Sequence, residues 1–418
     1  MKKLLLTIFL SQTIILAVPG QASKRALFLG NSYTAAHNIP GMVADAALSA
    51  GDTLLWDSNT PGGYTLQGHS TDAGSLGLIA QGNWDFVVLQ EQSQRPSFPI
   101  GQVQVEVFPY AAQLNSLINQ HNSCAETVFY MTWGRKNGDA GNCAAWPPVC
   151  TYQGMDSLLR IRYMMMANDN EAVVSPVGAV WRHIRTAYPD IELYEPDESH
   201  PSTAGAYAVA CSFYTTFFRK DPMLITWNSS LSANDALRIR TAAKAVVWDS
   251  LLTWHIGAYD PVADFSFQVT GDSVSFSNLS AYATQYHWDF GDGASSPLTN
   301  PVHQYLSNNA YTIQLIASHC GMSDTISNIV NITSIQIQNP NVDHHFLIFP
   351  NPVADLIHIE GEYTEACLFN AEGQWIRRTS PCESIPVRDL SRGIYFLQVS
   401  FSDGINIHKI VKKIVLSE

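Results

Sequence analysis

Charge is scarce in this chain: Asp, Glu, Lys and Arg together make up 14% of its 418 residues. The 23 basic residues are outnumbered by 36 acidic ones, and the net charge of -13 excludes nucleic acid as a partner. Long apolar runs are also missing. The one near the start, Leu4 to Val18, is short and is broken by Ser11, Gln12 and Thr13. It follows Met1-Lys2-Lys3 and precedes Pro19-Gly20-Gln21-Ala22, so residues 1–22 read as a secretory signal peptide cut after Ala22 rather than as a membrane anchor. Cysteine is sparse and odd in number, seven, and its spacing matches no zinc site. Export permits disulfides. Cys143 and Cys150 flank AAWPPV, and Cys367 with Cys382 is a second plausible pair. Cys124, Cys211 and Cys320 are left over, with Cys211 expected as a buried thiol in AYAVACSFY.

Aromatics, at 11%, are plentiful beside so few charges, which suits a secreted protein handling neutral substrates such as sugars. The length predicts two to three domains. The stretch from Ala26 to Thr34, ALFLGNSYT, reads as a buried parallel strand that ends in a tight turn at Gly30. Ser32 then stands just past the strand's carboxyl end, where open α/β sheets bind ligands. It is a candidate nucleophile, and a helix-capping serine is the competing reading. Far downstream, Asp197-Glu198-Ser199-His200-Pro201-Ser202 provides what a nucleophilic serine needs. His200 can take the hydroxyl proton, and Asp197, three residues earlier, can orient the ring and stabilise its charged form.

These two stretches together resemble the SGNH (GDSL-like) hydrolase superfamily, in which the nucleophile follows the first strand and an Asp-x-x-His precedes the last helix. The resemblance covers roughly Lys24 to Ala258. It implies a flavodoxin-like three-layer α/β sandwich around a parallel sheet. The residues between agree, with strands expected at Thr53 to Trp56, Phe86 to Leu89, Thr127 to Thr132 and Ala172 to Ser175. Helices are expected at Asn38 to Ala50, Val107 to Gln120, Met155 to Ala167, Val180 to Ala187 and Thr203 to Phe218. The resemblance also implies an oxyanion hole made by the Ser32 N–H, a glycine after the second strand and an asparagine after the third. Gly63 matches the glycine, with Gly62 as the fallback. The family's Gly-x-Asn-Asp is replaced by Gln90-Glu91-Gln92-Ser93, so Gln92 is the expected third donor and Gln90 the alternative. Asn31 stands where Asp is commoner in the family, which bears on loop hydrogen bonding.

Other residues carry weaker readings. His69 is the rival base, without a carboxylate three residues before it. Trp133-Gly134-Arg135-Lys136 could line a substrate pocket or form a structural loop. Met164-Met165-Met166 reads as core.

Beyond Ala258 the pattern changes to short alternating runs, which predict a β-sandwich. Trp288-Asp289-Phe290-Gly291-Asp292-Gly293 and the following Asn300 to Tyr305 resemble PKD (polycystic kidney disease) domains. Ile335 to His345 reads as a linker. Phe346 to Pro352, Gly393 to Val399 and the basic Lys409 to Lys413 resemble the C-terminal sorting domain of type IX secretion cargo, with Phe349 where tyrosine is commoner. The expected organisation is a signal peptide at 1–22, the hydrolase-like domain at 23–258, and two C-terminal β-sandwich domains at 262–334 and 343–418. The expectation is a secreted serine esterase, with acylated carbohydrate favoured as substrate and the type IX secretion machinery as partner. Ser32, His200 and Asp197 form its triad, and it needs no metal or organic cofactor. The alternative is a non-catalytic surface adhesin built on a degenerate hydrolase domain.

Overall fold

The computed structural model describes residues 20–333, 347–381, 384–402 and 407–417. Most of the expected signal peptide, the expected linker and Cys382 lie outside the described residues. Contacts group the chain into two compact units. One runs to Asp264 and includes Leu279–Tyr286 and Ile316–Ile326; the other comprises Phe265–Asn278, His287–Leu315 and the chain from Ser327 onward.

The first unit is built on five parallel strands: β1 Ser23–Leu29, β2 Thr53–Asn59, β3 Phe86–Leu89, β4 Glu126–Tyr130 and β5 Val173–Ser175. Their spatial order is β2-β1-β3-β4-β5, the flavodoxin-like doubly wound order that the resemblance implies. β3 is wholly apolar, and β1 from Ala26 and β4 from Val128 carry only apolar and aromatic residues, because helices cover both faces of the sheet there. Among the described residues, ten α-helices connect the strands or cover the sheet: α1 Ser32–Ala35, α2 Ile39–Ser49, α3 Leu66–His69, α4 Ala73–Ile79, α5 Ile100–Glu106, α6 Phe108–His121, α7 Tyr152–Asp169, α8 Val177–Ala187, α9 Thr203–Phe218 and α10 Ala233–Val246. On α9, Phe213 and Phe217 meet Phe28 of β1, Phe217 stacks on Phe86 of β3, and Phe213 meets Tyr130 of β4. Strand side chains alternate, so Leu27 and Leu29 point to the opposite layer. Nearly every residue of α9 is buried, which explains why its sequence is apolar all round.

The strands run level. Leu29 pairs with Asn59 and Leu89, and Leu89 with Phe129, so the loops leaving β1, β2 and β3 emerge side by side. β1 lies between β2 and β3, where the chain's winding reverses, and the crevice at that edge is the ligand-binding position of doubly wound sheets.

One finding corrects the cysteine reading within this unit. Cys143 and Cys150 are joined, as expected, but Cys124 and Cys320 also form a disulfide across 196 positions of sequence. Such a distance conceals the pair from any reading of spacing. Cys211 is a buried free thiol, as expected. Cys367 is buried and has no disulfide partner among the described residues.

Past Asp264 the strands are antiparallel. Phe265–Thr270, Ser273–Asn278 and Val302–Gln304 form one sheet, and Gln285–Asp289, Ser295–Ser296, Asn309–His319 and Met322–Ile332 form another. Trp288 is fully buried against Phe265 and Phe276, and its indole N–H donates to Leu298 O at 2.9 Å. The acidic turn after it is structural: Asp289 and Asp292 accept from the Gly291 and Ala294 N–H groups. Two further antiparallel sheets lie between Leu347 and Leu416, around a core that includes Val353, Ile357, Leu397 and Ile414. Asn351, in Phe-Pro-Asn-Pro, is bonded to both Lys413 O and Val415 N, which pins that motif to the last strand.

Candidate active site

Ser32 opens the short helix α1 directly after β1. The turn before it is crowded, since a Cβ at position 30 would lie 2.7 Å from Gln90 Oε1, and only glycine fits. Gln90 Oε1 accepts from the Asn31 N–H and the Thr34 hydroxyl, both at 2.9 Å. Asn31 caps α1 by accepting from the Tyr33 N–H, and its Nδ2 donates to Tyr64 O at 2.9 Å.

His69 closes the turn from the other side. It is fully buried, with Nε2 2.9 Å from Gly30 O and Nδ1 2.8 Å from Ser75 Oγ. A carbonyl can only accept, so Nε2 carries the proton. Burial pushes the ring's pKa down, against the Gly30 hydrogen bond and the nearby Asp72. Both nitrogens are occupied by the scaffold, and His69 braces the turn instead of competing as the base.

The loop from Glu195 to Pro201 brings His200 back to Ser32. Asp197 Oδ1 accepts from the Ser199 and His200 N–H groups at 3.0 and 2.9 Å, a local turn characteristic of aspartate. Asp197 Oδ2 is 2.5 Å from His200 Nδ1, and His200 Nε2 is 2.9 Å from Ser32 Oγ. Burial pushes the Asp197 carboxyl up, but hydrogen bonds from the His200 ring and from the two N–H groups outweigh it and hold the pKa below the ordinary range. Glu198 has a left-handed backbone, and its carboxylate accepts from Asn137 Nδ2 at 2.9 Å.

An aromatic stack supports this loop. Tyr33 lies on Trp133 and Trp133 on Trp181, with ring centres 4.9 and 3.7 Å apart. The Tyr33 hydroxyl meets Ser199 Oγ at 2.6 Å, and Trp133 Nε1 donates to Ser199 O at 3.1 Å. Trp133 is therefore a buried prop and not the aromatic wall of a pocket. Its neighbours Arg135 and Lys136 pair with Asp139 and Glu192. Of Met164, Met165 and Met166 on α7, Met166 alone is fully buried.

Of the expected oxyanion donors, Gly63 has a left-handed φ of 69°, in the loop whose Tyr64 carbonyl Asn31 holds. Neither the Ser32 nor the Gly63 N–H is bonded to another group among the described residues. Gln92 Oε1 accepts from the Gln94 and Arg95 N–H groups, and its Nε2 donates to Gln94 Oε1 at 3.0 Å, which leaves one of the two amide hydrogens unassigned. The Gln90 side chain is fully buried, its oxygen holding the nucleophile turn and its amide nitrogen donating to Glu91 O.

Comparison with known proteins divides along the same lines. The PKD domain family matches residues 260–333, and the secretion system C-terminal sorting domain family matches residues 347–414. No curated protein matches the chain. Among solved structures, a DUF4886 family protein from Bacteroides uniformis is 15% identical with a TM-score of 0.47, and the match covers 55% of this chain and 95% of that one. A candidate SGNH hydrolase from Slackia heliotrinireducens is 29% identical with a TM-score of 0.38, covering 46% and 97%. The PKD1 domain of the Vibrio cholerae metalloprotease PrtV is 31% identical with a TM-score of 0.18, covering 18% and 99%. The C-terminal segments are thus a PKD domain and a type IX sorting domain, and the latter marks the chain for export to the cell surface or beyond. No helix among the described residues is long and apolar enough to cross a membrane.

Proposed function

We propose that the protein is a secreted serine esterase that hydrolyses carboxylic esters through Ser32, His200 and Asp197. The observation that carries this reading is the unbroken line from Asp197 Oδ2 through His200 to Ser32 Oγ, 2.5 and 2.9 Å per step, at the sheet edge where doubly wound folds bind ligands. His200 Nε2 takes the Ser32 proton as Oγ attacks the ester carbonyl, and returns it to the leaving alcohol as the tetrahedral intermediate collapses. Asp197 accepts the Nδ1–H, fixing the tautomer and favouring the imidazolium. Water, activated by the same ring, then releases the acid and restores Ser32. The N–H groups of Ser32 and Gly63 and the remaining amide hydrogen of Gln92 stabilise the oxyanion.

Acylated carbohydrate is the favoured substrate class, supported by export and by the PKD domain carried on the same chain. Purified protein is tested against acetylated sugars and short-chain aryl esters, alongside Ser32→Ala. Release of acid by the wild type and not by the variant supports the reading. An inert wild type favours a glycan-binding adhesin, a reading to which the partly engaged Gln92 amide lends weight.

A further inference from the structure

The third loop carries a charge with no place in the triad. Glu91 lies two residues past the end of β3 and is fully buried, although the loop leaves the sheet at the open edge of the site. Its carboxylate reaches two loops. Oε1 accepts from the Gln92 N–H at 2.6 Å, and Oε2 accepts from the Leu66 N–H at 3.2 Å. Leu66 begins α3, three residues after Gly63. The segment from Gly63 to Leu66 is thus held at both ends, by Asn31 on the Tyr64 carbonyl and by Glu91 on the Leu66 N–H.

A buried carboxylate is a costly way to satisfy two backbone N–H groups, because moving a charge out of water costs several kcal/mol. The neighbouring charges compensate only in part, since Arg95 favours the ionised form, Glu106 opposes it, and Tyr163 packs nearby. The two N–H groups are taken on separate oxygens, Oε1 and Oε2; a glutamine has one acceptor oxygen, so only a carboxylate holds both loops in this way.

Resting on the esterase reading, we propose that Glu91 is a positioning residue whose carboxylate fastens the Gly63 loop to the Gln92 loop, so that donors from both meet the same oxyanion. Glu91 itself touches neither substrate nor Ser32. Substituting the carboxylate lets the two loops move apart and weakens the oxyanion hole while the triad stays intact.

The test compares an aryl ester with its thiono counterpart, in which C=S replaces C=O, using the full chain. Sulfur accepts hydrogen bonds weakly, so a working oxyanion hole favours the oxygen ester, and losing the hole erodes that preference. For Glu91→Gln we expect kcat on the oxygen ester to fall about tenfold to a hundredfold, less than the roughly hundredfold to thousandfold loss when an oxyanion donor is removed outright, with KM within about twofold. The ratio of oxygen-ester to thiono-ester kcat/KM should shrink by a similar factor. Glu91→Asp, which keeps the charge but retracts it by one methylene, should lie between wild type and Glu91→Gln, and it serves as the readout if Glu91→Gln does not fold. An unchanged ratio, whether both rates fall together or neither falls, overturns the role of Glu91 and leaves the esterase reading standing. A wild type that cleaves neither ester overturns both.

Discussion

Tyr33 and Ser199, the immediate neighbours of Ser32 and His200, are joined through their hydroxyls at 2.6 Å. The two catalytic candidates come from segments 168 positions apart, and this buried bond fixes the distance between those segments. Burial also pushes the Tyr33 phenol up, outweighing its hydrogen bond to Ser199 and the nearby Arg135, so the hydroxyl stays protonated.

Tyr33→Phe should preserve the ring stack on Trp133 and lose only the bond. The Ser199 hydroxyl then lacks its partner in a buried place, at a cost of about 1–3 kcal/mol. The expected outcome is a several-fold drop in kcat with little change in KM, together with a lower melting temperature. Unchanged kcat would mean that the contact does not set the Ser32–His200 spacing.

Asn31→Asp installs the residue commoner in the resembling family, yet it should impair this protein. The new carboxylate still caps Tyr33 N but meets the Tyr64 carbonyl without a hydrogen to offer, where Asn31 Nδ2 now donates at 2.9 Å. Two facing acceptors repel, and the Gly63 loop should shift, lowering kcat by about tenfold on the scale of a disrupted buried hydrogen bond. Kinetics of the purified variant check this; full activity would show that the Asn31–Tyr64 brace is dispensable.

Glu91 makes stability and activity depend on pH in opposite senses. Burial pushes its pKa up to about 7, against the N–H groups of Gln92 and Leu66. A carboxyl raised on folding favours the protonated folded form. Its contribution to stability is full below the unfolded value near 4.5 and is lost as the pH rises through about 7. The loss is on the order of 3 kcal/mol. Denaturant titrations at pH 5 and pH 8 should show this decline in the wild type and a smaller one in Glu91→Gln. Activity should rise over the same interval, because only the ionised form accepts both N–H groups fully. Equal pH dependence of stability in the two proteins would count against a buried, titrating Glu91.

The disulfide between Cys124 and Cys320 closes a very long loop within the first unit. Loop closure of this kind stabilises by about 2–4 kcal/mol, chiefly by restricting the unfolded chain. The paired change Cys124→Ser with Cys320→Ser should lower the unfolding free energy by that amount and leave kcat within about twofold, since neither residue lies in the loops around Ser32. A variant as stable as the wild type under oxidising conditions would show that the bond does not form.

Much of this architecture is legible in the residue pattern because parallel strands buried on both faces have a plain signature. Phe86–Leu89 and Thr203–Phe218 have the same limits in the sequence reading and in the structure. Ser32 and His200 are also legible, since a serine after a strand and an Asp-x-x-His in a loop each state a chemical requirement. The support around them is not. Trp133 reads as either pocket lining or part of a structural loop, because an aromatic residue after a strand looks the same whether it faces ligand or another indole; stacking against Tyr33 and Trp181 decides it. Gln90 and Gln92 look interchangeable in sequence, yet one anchors the nucleophile turn and the other faces its own loop. The long pairing of Cys124 with Cys320 has no local trace at all. Glu91 did leave a signal, an acidic residue two positions after four apolar ones, but a solvated loop charge would look identical.

Whether Ser32 is an activated nucleophile is tested by covalent labelling of the full chain with a fluorophosphonate followed by peptide mass mapping. Phosphorus is attacked by Ser32 Oγ with loss of fluoride, and His200 takes the proton. One adduct is expected, on the peptide that contains Ser32, formed in step with the loss of esterase activity and suppressed in His200→Ala. For comparison, Ser32→Ala should reduce kcat by on the order of a million-fold if the dependence is like that of subtilisin. An active esterase that takes no label, or takes it on a different residue, would contradict the account.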